Sequence, residues 1–172
     1  MNRRPPLSLL AAALVVLLGL AGLIRGALPQ SSAGAASQPG TSNADVVVGG
    51  AYVREPANGI NAAAYFTVYN TTDKADTLVS VTSGAGAQTS LHTDSADGSM
   101  QDAPAGGLTI PAHGSLSLTP GKGHAMIEKL YGTLKAGQSV NLQFTFGVAG
   151  QVLVTAPVIG VSAPAPTAGA PK

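Results

Sequence analysis

Ser139-Val140-Asn141-Leu142-Gln143-Phe144-Thr145-Phe146 alternates polar and apolar residues at every step. A period of two puts Val140, Leu142, Phe144 and Phe146 on one side of an extended chain, the pattern of a half-buried strand. Ala149-Gly150 follows with a composition suited to a hairpin turn, and Gln151–Val158 continues as a second strand. The same kind of segment recurs toward the N-terminus. Asp45-Val-Val-Val runs on through Ala51-Tyr-Val-Arg54, Ala64–Tyr69 ends at the turn Asn70-Thr71-Thr72-Asp73, and Thr77–Thr82 ends at Ser83-Gly84. No stretch of ten residues carries a capped helical period, and no internal repeat is present. Short strands with frequent turn signals predict an all-β domain over 44–160, an antiparallel sandwich or barrel.

The flanks do not fit that pattern. Asn2-Arg3-Arg4 precedes the apolar run Leu7–Ile24, so residues 1–25 read as a secretory signal peptide or a membrane anchor. Ala33-Gly34-Ala35 is the best small-residue cleavage site, and the distance from the apolar run to it keeps the anchor reading open. Residues 26–43, rich in Gly, Ser, Ala, Pro and Gln, read as a flexible linker, and 161–172 as a disordered Pro/Ala-rich tail. Either reading of the N-terminus puts the domain in an extracytoplasmic location: periplasmic, secreted or held at the outer face of the membrane.

Composition removes several function classes. Three of the nine basic residues lie in the first 25 positions, leaving six against eight acidic ones. With 4% aromatic residues as well, there is no basic or stacking footprint for nucleic acid. The absence of cysteine excludes disulfides, thiolate metal sites, a cysteine nucleophile and blue-copper electron transfer.

The residues that could carry chemistry are confined to one stretch. Apart from Met1, every methionine and histidine lies between 92 and 126: His92, Met100, His113, His124 and Met126. Core-filling methionine would be scattered through the apolar strands, yet the strands at 64–69, 77–82 and 139–157 contain neither residue. His124 and Met126 are two apart, so in a strand they share one face while Ala125 and Ile127 take the other. Asp97-Gly98 before Met100 and Gly121-Lys122-Gly123 before His124 are turn signals that would bring these residues to a rim. Thioether sulfur is a good ligand for copper(I) and a poor one for zinc, calcium or magnesium. Metal binding and a purely structural role both remain open on spacing alone.

The segments Ala51-Tyr-Val-Arg-Glu-Pro-Ala57, Ala63-Ala-Tyr-Phe-Thr-Val-Tyr-Asn70, Leu91-His92-Thr93, Leu118-Thr-Pro-Gly-Lys-Gly-His-Ala-Met126 and Leu142–Phe146 resemble the periplasmic copper(I) chaperones known as PCuAC. The resemblance covers about 45–158. It implies a cupredoxin-like Greek-key β-sandwich or barrel binding copper(I). It also implies delivery of copper to cytochrome c oxidase subunit II or a Sco-like assembly factor, by a monomer without enzymatic activity. The family pattern H-x10-M-x21-H-x-M places ligands at His92, His124 and Met126. At the remaining methionine position the chain has Asp102, with Met100 two residues before it. The expected ligand set is therefore His92, Met100, His124 and Met126, with Asp102 as the rival third ligand.

The other candidates have simpler readings. His113, in Pro111-Ala112-His113-Gly114, reads as an exposed turn residue, and Asp94 and Asp97 as a solvated acidic loop. Pro120-Gly-Lys-Gly lacks the spacing of a phosphate loop, and Asn70-Thr71-Thr72 reads as a turn. The rival to a copper carrier is a metal-free immunoglobulin-like or adhesive module whose copper site has decayed.

Overall fold

The computed structural model describes residues 41–167 except Ala44 and Ala96. The apolar N-terminal run, the linker up to residue 40 and the last five residues lie outside the described residues. The described residues contain eleven strands and no helix, the all-β class expected. In chain order they are β1 (Thr41–Ser42), β2 (Val46–Arg54), β3 (Ala62–Asn70), β4 (Asp76–Ser83), β5 (Gly86–Asp94) and β6 (Met100–Asp102). Then follow β7 (Leu108–Ile110), β8 (Ser115–Leu118), β9 (Gly123–Leu130), β10 (Ser139–Phe146) and β11 (Gln151–Ile159).

The hydrogen-bonded order is β6-β5-β9-β3-β2-β11-β10-β4-β7, with β1 added on β2 and β8 on β3. All pairs are antiparallel except β2 with β11, where only Val53–Val158 and Arg54–Ile159 pair in parallel. The alternation in 139–146 works as its period demands. Val140, Leu142, Phe144 and Phe146 are buried, and the hairpin to β11 closes through Phe146 N donating to Gly150 O at 2.7 Å. Gly150 sits at φ 78°, a left-handed conformation natural to glycine. Phe144 meets Phe66 of β3 edge to face, with ring centroids 4.7 Å apart, so one aromatic pair joins the β10 half of the sheet to the β3 half.

Strand β2 changes facing midway. Val46 and Val48 are buried in register with Asn70 and Val68, but the pairing then slips by one residue between Gly49 and Tyr52, with Gly50 at φ 60°. This β-bulge turns Ala51 and Val53 toward the core and leaves Tyr52 and Arg54 on the opposite face. At the end of β11 the Arg54 guanidinium donates to Gly160 O at 2.8 Å and Ala163 O at 2.6 Å, which fixes the chain just past the last strand.

Candidate metal centre

Strands β5 and β9 lie side by side in a register that pairs His92 with His124 and Ser90 with Met126. Directly opposed residues of an antiparallel pair project from the same face, so the register gathers both histidines and Met126 on one surface. The intervening residues confirm the facing: Ala125 and Ile127 are wholly buried in the core. The two imidazoles meet edge to face with centroids 5.1 Å apart. His124 is only 7% exposed.

A close backbone approach makes this pairing possible. A Cβ at Gly123 would stand 2.4 Å from His92 O, and Gly123 has φ 139°. Gly123→Ala is therefore expected to push β9 away from β5 at the histidine pair and to cost about 2 kcal/mol, in the range of a residue forced into a disfavoured backbone region. Chemical denaturation of the metal-free protein measures this. A loss below a few tenths of a kcal/mol would mean that the strands separate without cost.

Strand β6 completes the row from the other side. Its register sets Asp102 opposite His92 and Met100 opposite Asp94. Asp102 Oδ1 lies 3.2 Å from His92 Nε2. Met100 and Asp102 share the face, as an extended 100–102 requires, but Met100 stands one pleat away from the histidine row and is 54% exposed. Met126 lies one pleat away on the opposite side, over a groove of about 290 Å³ lined by Arg54, Glu55, Pro56, Ala57 and Asn58. The structure thus brings His92, His124 and Met126 together on adjacent strands and sets Met100 at the rim.

Three further residues of this face escape a reading based on ligand type. Tyr65 packs beside His124 with centroids 6.1 Å apart, Tyr52 stacks on Tyr65 at 5.2 Å, and Arg54 lies over Tyr52 at 5.3 Å. The available signal for Tyr65 was its place between Ala64 and Phe66, since a buried Phe66 forces its neighbour outward. Burial raises both phenols above their ordinary pKa, so neither supplies a phenolate ligand at neutral pH.

Two nitrogens of the site have no partner among the described residues. His92 Nδ1 and His124 Nε2 are both buried and neither makes a hydrogen bond. A buried polar atom left unmatched costs about 1–3 kcal/mol, so two side by side call for an explanation. A bare imidazole nitrogen is also a metal ligand. Of the harder donors on this face, Asp102 lies 3.2 Å from Nε2 of His92 and Asp94 stands opposite Met100. Glu128 is taken up by Ser90 Oγ at 2.7 Å and Gln88 Nε2 at 2.8 Å. Among the described residues no three His, Asp or Glu side chains converge to hold an ion by themselves. The same face also carries the thioethers of Met126 and Met100, and imidazole with thioether is a soft set suited to copper(I).

Burial lowers the pKa of His124 below its ordinary 6.5, the neighbouring His92 lowers it further, and Asp94 opposes both. The folded protein therefore favours neutral His124, while the unfolded chain takes up the proton first as pH falls. Stability of the metal-free protein should be full above about pH 6.5 and decline as pH drops below it. Denaturation midpoints across pH 5–7 test this; a flat profile would contradict it.

The other sequence candidates sit elsewhere. His113 is exposed at a turn with φ 50° and pairs with Asp73. Asp97 caps its own turn, accepting from Ser99 N at 2.9 Å and Ser99 Oγ at 2.7 Å. The Asn70 side chain is buried and organises the turn after β3, donating to Lys74 O at 2.7 Å and Pro111 O at 3.1 Å.

Comparison with known proteins gives the same fold. The chain is similar to the apo PCuAC domain from PmoF1, with TM-score 0.62 and 24% identity over 70% of this chain and 98% of that one. It is similar to the copper-bound PCuAC domain from PmoF2, with TM-score 0.62 and 19% identity over 72% and 99%. It is also similar to the copper(I) form of DR1885 from Deinococcus radiodurans, with TM-score 0.52 and 30% identity over 74% and 83%. The cupredoxin-like β-sandwich expected from the sequence is thus the fold observed. No curated protein sequence matches the chain. A sequence profile described as that of LpqE-like lipoproteins matches residues 46–158, from the start of β2 to the last residue but one of β11, and on that match the chain belongs to the LpqE-like family.

Proposed function

We propose that this protein carries one copper(I) ion outside the cytoplasm and passes it to another protein. The observation that carries the reading is the pair of adjacent imidazoles, each with a buried nitrogen lacking any partner, with Met126 on the same face. The copper(I)-loaded DR1885 supports it, at 30% identity over most of both chains. The ion is cargo here. His92 and His124 would hold it with Met126, and Met100 would close the set from the rim. Thioether ligands suit an oxidising compartment, where thiols would be lost to disulfides.

We read the protein as a carrier rather than an enzyme, working as a monomer. Its acceptor would be a copper-binding protein such as cytochrome c oxidase subunit II or a Sco-like assembly factor. The N-terminal segment would act as a cleaved signal or as an anchor at the outer face of the membrane.

Titration of the purified protein with copper(I) against a chromogenic chelator tests the carrier. One equivalent should be withheld from the chelator, and Met126→Ala should release it at lower chelator concentration. Copper held no tighter than by a protein lacking surface His and Met would overturn the reading. Delivery is tested by mixing the loaded protein with the purified soluble domain of oxidase subunit II, separating the two and measuring the copper on each.

A further inference from the structure

Asp102 occupies the place where the resembling family has a ligand, and the geometry gives it a different task. It stands directly across from His92 in the β5–β6 ladder, and its carboxylate faces Nε2 at 3.2 Å. The opposite nitrogen of the same ring, Nδ1, is buried and without a partner. A carboxylate only accepts, so the ring nitrogen facing it is favoured to carry the proton. An imidazole with its proton on Nε2 has its lone pair on Nδ1.

We infer that Asp102 is a positioning residue, which fixes the tautomer and orientation of His92 so that Nδ1 is the nitrogen offered to the ion. The exposure of the two residues agrees with this division. The Asp102 side chain is 91% exposed, whereas that of His92 is 16% exposed. A carboxylate surrounded by water keeps its hydration while it orients the ring, and the ion can be held on the inner side. Outer partners of this kind orient metal-bound histidines and raise their basicity, and their loss typically costs about 10- to 100-fold in metal affinity. The site then keeps a soft donor set, with Met100 free to supply the sulfur that Asp102 does not.

The inference on metal affinity rests on the copper(I) reading above, while the tautomer does not, so the test has two arms. Long-range proton–nitrogen NMR of the metal-free, nitrogen-labelled protein should show His92 with its proton on Nε2 and a bare Nδ1. The Asp102→Ala protein should show a mixture of tautomers. A bare Nε2 in the unaltered protein, or an unchanged tautomer in Asp102→Ala, would overturn the inference whether or not copper binds.

In the second arm, copper(I) alone is added. The Nδ1 signal of His92 should move while the Nε2 proton remains visible. The dissociation constant should rise about 10-fold in Asp102→Ala, with part of it recovered in Asp102→Asn, which retains an acceptor oxygen. If Asp102 is instead a ligand, Asp102→Asn should lose as much as Asp102→Ala, and this would also overturn the inference. Asp102 lies on an exposed edge strand, so none of these variants threatens the core.

Discussion

His124→Leu is expected to make the metal-free protein more stable while abolishing tight copper(I) binding. The two effects have one cause. His124 Nε2 is buried with no partner among the described residues, so the folded protein bears the desolvation of a polar atom and recovers nothing for it until an ion arrives. Replacing such a group with an apolar one of similar size removes a penalty of about 1–3 kcal/mol. The substitution should raise the melting temperature by a few degrees and also remove the dependence on pH below about 6.5. Copper(I) affinity should fall by more than about 100-fold, beyond the roughly 10- to 100-fold that loss of an outer partner costs. Calorimetry of the metal-free variant and a chelator titration check the two halves. A variant that loses both stability and copper would mean that the imidazole is a structural group, and the site would lose its main support.

Phe144→Ala should have the largest effect on folding. Phe144 is fully buried and its ring meets Phe66 edge to face across the core. Truncating a buried phenylalanine costs about 3–5 kcal/mol, a large part of the roughly 5–15 kcal/mol that keeps a typical domain folded. The loss should appear as a lower denaturation midpoint with an unchanged slope. The histidine pair lies on the outer face of β5 and β9, neither of which pairs with β10, and does not depend on this side chain for its register. Copper(I) at about 100 times its dissociation constant should therefore restore roughly 2.7 kcal/mol by mass action. A variant that folds but gains nothing from copper would show that the core and the site are coupled more tightly than the ladder suggests.

The sequence was most legible where its period was strict. The alternation in 139–146, the apolar runs in 46–54 and 64–69, and the turn at Ala149-Gly150 all became the elements they predicted. The shared face of His124 and Met126 also followed from spacing alone, because a strand has only two faces. Three features were hidden for identifiable reasons. Gly86–Asp94 is polar and mostly half-exposed, so it carries no alternation, and the strand that bears His92 is visible only through its partners. The three-residue β6 is too short for any periodic signal. Its register, which puts Asp102 rather than Met100 opposite His92, is set by pairing between strands and has no local trace. Tyr52 lies outside the core because of a bulge, and nothing in the composition of Val46–Arg54 marks which residues face out after it.

That bulge gives β2 a parity. Before Gly49 the even-numbered residues face the core, and from Ala51 onward the odd-numbered ones do. Were the chain to run through Gly49 and Gly50 in regular alternation, with no residue removed, Tyr52 and Arg54 would turn inward and Ala51 and Val53 outward. The aromatic wall beside His124 would disappear although none of its members had been substituted. The bulge at the two glycines therefore decides which residues of β2 stand beside His124.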